Sequence, residues 1–127
     1  MTMSEQDRPL DNEDDRIRLV FGLPSQSPLP TVGKDTVAKY HEYLLGKLSF
    51  PFRALYAETA PPVSQIVRYV NVVGPSENAS RRQYGLFCKV ELGDRIVELP
   101  LSELGMRDDD PNRQLVDDYL YWLWNSR

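Results

Sequence analysis

The stretch Tyr84–Leu101, YGLFCKVELGDRIVELPL, decides the fold. Leu86, Cys88 and Val90 alternate with Lys89 and Glu91; beyond Gly93-Asp94, Val97, Leu99 and Leu101 share a side against Glu98. In an extended chain such alternation sends successive side chains to opposite faces. A glycine-containing pair between two alternating runs marks a hairpin. A lone hairpin is marginal in water, so further strands and helices must cover its apolar side.

Working upstream, Ile66–Val73 is rich in β-branched residues and reads as a strand that ends at Gly74-Pro75, with Ser76–Arg82 a polar loop. Phe50–Glu58 places Phe52, Ala54 and Tyr56 on one side and reads as another strand. Before it, Val37, Tyr40, Leu44 and Leu48 recur at helical spacing, with Asp35 or Thr36 as cap; Gly46 weakens the last turn and Pro51 ends it. Leu23–Val32, holding Pro24, Pro28 and Pro30, is an extended connector, and Ile17, Leu19 and Phe21 alternate as a short edge strand would. Residues 1–15 are acidic with almost nothing apolar to bury, so this tail is expected to be disordered and 16–127 to form a single domain.

Downstream, Ser102–Met106 reads as one helical turn, and a last helix runs from Pro111 to about Asn125, capped by Asp110. Its stripe of Leu115, Tyr119, Trp122 and Leu123 is opposed by Leu120 and Trp124, so the helix is apolar on more than one face. The expected fold is α+β: a small, strongly bent antiparallel sheet packed with one helix from the N-terminal half and the C-terminal helix. Closure of that sheet into a barrel is left open by the sequence.

Composition narrows function by exclusion. The 127 residues carry 19 acidic against 15 basic side chains, a net charge of −4, and the only basic pair is Arg81-Arg82. Nucleic-acid affinity depends on clustered Lys and Arg, so no nucleic-acid partner is expected. One cysteine, Cys88, excludes an internal disulfide and suits a reducing cytoplasm. The polar N-terminus has no signal-peptide core, and no apolar run nears the roughly 18 residues of a membrane span.

The chemistry concentrates in Asp108-Asp109-Asp110-Pro111-Asn112. Hard divalent cations bind carboxylate and carbonyl oxygens, and Asp108, Asp110 and Asn112 stand at the first, third and fifth positions of a calcium loop. The sixth position is Arg113 rather than Gly and the twelfth is Tyr119 rather than Glu, so this is no EF-hand. An irregular site could draw on Asp117, Asp118 or Glu103. The competing reading is structural: aspartates at a helix start accept backbone N–H groups and complement the helix dipole. Asp11, Glu13, Asp14 and Asp15 form a second acidic cluster, read as a solvated tail. His41 lacks a companion zinc ligand, Cys88 reads as a small buried hydrophobe, and Ser64 and Ser102 have no base at a recognisable spacing. Nothing argues for an enzyme.

FPFRALY (Phe50–Tyr56), YGLFCKVELGDRIVELPLSEL (Tyr84–Leu104) and NRQLVDDYLYWLWNSR (Asn112–Arg127) together resemble the bacterial calcium-binding family typified by cyanobacterial CcbP. The resemblance spans about residues 50–127. It implies Ca²⁺ binding through acidic surface in a non-EF-hand manner, and it carries over no individual ligand. The expectation is therefore a non-enzymatic buffer or sensor binding calcium ions through Asp108, Asp109, Asp110 and Asn112, with Asp117 and Asp118 as further donors. The alternative is a metal-free interaction module that meets a protein partner or a second copy through Tyr121 and Trp124, since aromatic anchors dominate interface energies.

Overall fold

The hairpin forms as its pattern predicts. In a computed structural model describing residues 12–60, 63–81 and 85–127, β3 (Gly85–Leu92) pairs antiparallel with β4 (Arg95–Pro100), Leu92 facing Arg95 across the turn. Gly93 takes φ +68° at the first turn position, a conformation that costs a residue without Cβ little. Leu86, Cys88, Val90 and Leu92 all point into the core.

β1 (Phe52–Ala60) and β2 (Val63–Arg81) complete the centre of an antiparallel sheet whose spatial order is β4-β3-β2-β1-β5. The sheet is open, with β4 and β5 as its edges, so the barrel left open by the sequence is not formed. Of the polar loop expected at Ser76–Arg82, Ser76–Arg81 is instead the far half of β2, and Arg82 lies outside the described residues. Gly74-Pro75 does not end the strand, because register slips between Val72 and Gly74 and between Pro75 and Ser80 absorb it. Ser76 and Ala79, within the second slip, are buried, which keeps the segment in the sheet.

The turn expected at Ser102–Met106 is also shorter than read. A 3₁₀ turn, Leu101–Glu103, buries Leu101 and leads directly into β5 (Leu104–Met106), which pairs with Ala54–Tyr56 of β1. Three residues are too few for periodicity to reveal a strand.

The helices cover one face of the sheet. α2 (Lys34–Lys47) starts one residue before the expected caps: Gly33 is the cap, and its N–H donates to the Thr36 hydroxyl at 2.9 Å. Residues 17–20 are helical rather than an edge strand, since α1 spans Glu13–Val20. Asn12 caps it through the Asp14 N–H, three acids line its first turn, and Ile17 and Val20 turn to the core one helical turn apart. The anticipated tail thus reaches the described residues only at its end, where Glu13–Asp15 open this helix; residues 1–11 lie outside them.

α3 (Arg113–Asn125) buries Val116, Tyr119, Trp122 and Leu123. Tyr40 packs against Tyr119 and Trp122 at ring separations of 5.3 and 5.1 Å, joining α2 to α3. The Trp122 indole donates to the Pro30 carbonyl at 2.9 Å and fastens the proline-rich connector. No helix of the described residues is long and apolar enough to cross a membrane.

Candidate metal centre

Between β5 and α3 the chain turns through 107–112, and its aspartates do different work. Asp110 does not cap the helix as expected. Its carboxylate accepts the Asn112 N–H at 2.7 Å and its carbonyl the Arg113 N–H at 3.0 Å, so the helix opens at Asn112–Arg113. Asn112, at the cap position, makes no side-chain capping bond, because its side chain is buried and directed elsewhere. Its oxygen accepts the Ser49 N–H at 2.8 Å and its amide donates to the Ser49 carbonyl at 3.0 Å. That pair of bonds latches the start of α3 to the segment between α2 and β1.

The remaining aspartates face arginines. Asp108, 96% exposed, pairs with Arg113 Nη1, and the Arg113 Nε holds Asp117 at 3.1 Å. Asp109 pairs with Arg107 at 3.2 Å. Asp118 is on another side of α3, as adjacent helical residues must be. Its side chain is only 7% exposed and is gripped by Arg16 of α1 through Nε at 2.7 Å and Nη2 at 3.0 Å, with Gln114 donating as well. Burial first, and then the Asp118 carboxylate, hold the Tyr40 phenol protonated.

Of the six residues singled out in sequence, the structure therefore brings Asp108 and Asp117 to one guanidinium and leaves Asp109 and Asp110 beside them in the turn. Asn112 and Asp118 are engaged inward. Glu103 lines a different cleft, with Glu98, Trp124 and Arg127. Among the described residues no three His, Cys, Asp or Glu side chains converge as metal ligands do. Carboxylate oxygens suit Ca²⁺ chemically, but their arrangement does not fit a ready-made cage, because each is turned to an arginine or a backbone N–H.

Two other polar groupings matter. The α1 start forms a cleft of Asn12, Glu13, Asp14, Arg16 and Tyr121, where the negative charge of Asp14 raises the Tyr121 phenol pKa. His41 is fully buried between the Ser80 hydroxyl at 2.6 Å and the Tyr119 hydroxyl at 2.8 Å, and burial lowers its pKa to about 4. The sequence offered no sign of that trio, since its members come from α2, β2 and α3. The Arg113–Asp117 pair, four residues apart, was visible as a helical ion pair; the Arg16–Asp118 pair was not. Cys88 is buried as expected, which pushes its thiol up to about 12.

Comparison with known proteins bears on this geometry. Among curated protein sequences none matches the chain. The crystal structure of Anabaena CcbP superposes with a TM-score of 0.61 at 21% identity, covering 91% of this chain and 93% of that one. A calcium-binding protein in its calcium-binding form superposes at 0.60, also at 21% identity, covering 96% of each chain. At that identity the likeness establishes the fold. The family model described as calcium binding, that of CcbP, matches residues 32–123. That span takes in α2, the whole sheet, the acidic turn and nearly all of α3, and on this ground the chain belongs to the CcbP family of calcium-binding proteins.

Proposed function

We propose that the chain works as a non-catalytic Ca²⁺ buffer or sensor in the cytoplasm, with the acidic turn and the first half of α3 as its metal-binding face. The match of residues 32–123 to a calcium-binding family carries this reading. Asp108, Asp109, Asp110 and Asp117 are the donors, being carboxylates at the surface of one turn and the helix it opens. Asn112 and Asp118 take structural roles instead. Arg113 in place of the loop glycine supports a non-EF-hand geometry. The lone buried cysteine supports a reducing compartment.

A calorimetric Ca²⁺ titration of metal-stripped protein in about 0.15 M salt, where charges beyond roughly 8 Å are screened, tests the reading. Saturable heat in the wild type, lost in an Asp108→Asn/Asp117→Asn double mutant, is the expected result. Binding kept by the mutant moves the site; no binding up to millimolar Ca²⁺ removes the function.

One observation favours a second reading. Trp124 is 59% exposed, its face covered by the Arg127 guanidinium at 4.3 Å. A large exposed aromatic anchors interfaces well, so a protein partner or a second copy is proposed to meet Trp124 and the neighbouring Tyr121. Trp124→Ala, compared with wild type by sedimentation equilibrium, tests the second copy.

A further inference from the structure

We infer that the cleft between α1, α2 and α3 binds a small uncharged molecule with an apolar body and a hydroxyl head, such as a substituted phenol. The site is separate from the acidic turn and does not depend on the calcium reading. Its volume is about 270 Å³, and its apolar walls are Leu19 and Val20 of α1, Tyr43 of α2 and Leu115 of α3. An apolar cavity of about 150 Å³ encloses benzene, and pockets for drug-sized ligands begin at about 300 Å³. One substituted ring fits a space between those limits.

The head group follows from the polar side chains on the same cleft. Tyr40 lines it although the residue is only 1% exposed. Among the described residues the Tyr40 hydroxyl has no hydrogen-bond partner, whereas the Tyr119 hydroxyl beside it in the core pairs with His41 at 2.8 Å. Burial, and then the charge of Asp118, keep the Tyr40 phenol protonated. It is therefore a donor in want of an acceptor, and a buried hydroxyl in that state is costly unless something in the cleft pairs with it.

Asp118 also lines the cleft and supplies the complement. Its Oδ1 accepts from Arg16 Nη2 and from Gln114, and its Oδ2 from Arg16 Nε at 2.7 Å. A carboxylate offers about four lone-pair sites, so with three donors in place Oδ2 keeps one. A ligand hydroxyl satisfies both groups: its oxygen accepts from Tyr40 and its proton goes to Asp118. Charged heads fit less well. The Arg16 and Asp118 charges already cancel, so a carboxylate would meet Asp118 and an ammonium Arg16, each after shedding its hydration.

The test is a titration of the isotope-labelled full chain with p-cresol and with toluene, which has the same body without the head, read by amide chemical shifts. Saturable shifts at Val20, Tyr43 and Leu115 are expected for p-cresol. Toluene is expected to bind at the same place about three- to tenfold more weakly, the worth of one net hydrogen bond. Tyr40→Phe removes a hydroxyl that holds nothing in the described structure, so the fold is retained. That variant is expected to lose a similar factor for p-cresol and nothing for toluene. Equal loss for both compounds would make Tyr40 a wall of the cleft rather than a partner, and p-cresol binding no tighter than toluene would remove the hydroxyl head; either overturns the inference. So would the absence of saturable shifts up to millimolar p-cresol, or shifts that lie away from the three helices.

Discussion

Lowering the pH from 7 to 4 is expected to cost the fold about 3 kcal/mol through His41 alone. The ring is fully buried, with Ser80 and Tyr119 as its hydrogen-bond partners. A neutral imidazole presents one donor and one acceptor, and each hydroxyl can play either part. An imidazolium must donate twice, which two hydroxyls can also accept. Protonation therefore breaks no bond, and its penalty is the burial of a charge, the one cause that lowers the pKa from 6.5 to about 4.

The sign follows from proton uptake. Unfolded His41 takes up its proton near pH 6.5 and the folded ring only near pH 4. Between those values the unfolded state holds more protons, so stability falls as pH falls, by up to about 1.4 kcal/mol per pH unit. Above pH 6.5 the contribution is complete. Urea unfolding of wild type and His41→Gln at pH 7, 6, 5 and 4 isolates this group. The gap in unfolding free energy is expected to narrow by about 3 kcal/mol across the series or to change sign. A gap constant to about 0.5 kcal/mol, the usual scatter of such comparisons, would refute the reasoning, because it would mean that the folded ring takes up its proton as readily as the unfolded one.

Three further outcomes can be checked by the same urea assay. Tyr119→Phe removes the hydroxyl at His41 Nε2 within a buried site and is expected to cost about 1–2 kcal/mol. Asn112→Ala frees both backbone groups of Ser49; because Ser49 is itself near solvent and can rehydrate, the cost is expected at about 2 kcal/mol rather than the full penalty of two orphaned groups. Gly93→Ala forces a Cβ onto φ +68° in open space and is expected to cost about 1 kcal/mol from backbone strain.

The parts of the fold that were legible are those where one local signal dominates. The hairpin has alternation plus a turn glycine, and α3 has a long apolar stripe. The edge strand read into Ile17–Phe21 failed because the same run also holds a helical spacing: Ile17, Val20 and Phe21 are buried together, while Leu19 of the alternating set is exposed. Capping by Asn12 and the acids at Glu13–Asp15 decided between the two readings. Those acids had been weighed as tail composition when their position made them a helix start. Gly74-Pro75 misled for the opposite reason. It is a strong local stop, overridden by neighbouring strands that pair on both sides of it and by Ser76 and Ala79 facing the core.

The acidic turn shows why charge counting reads a site only in part. Five aspartates lie between positions 108 and 118, and a linear reading treats them as one cluster. In three dimensions Asp118 turns to the interior, where Arg16 meets it from the other end of the chain. Arg107, just before the run, and Arg113, within it, pair with Asp109 and with Asp108 and Asp117 in place. With three arginines (Arg16, Arg107 and Arg113) set against five carboxylates, the net local charge is about −2. A strong permanent field would hold divalent ions indiscriminately and would strain the apo protein by self-repulsion. Carboxylates partnered by arginines avoid that strain, and any cation they accept must first win the competition with a guanidinium.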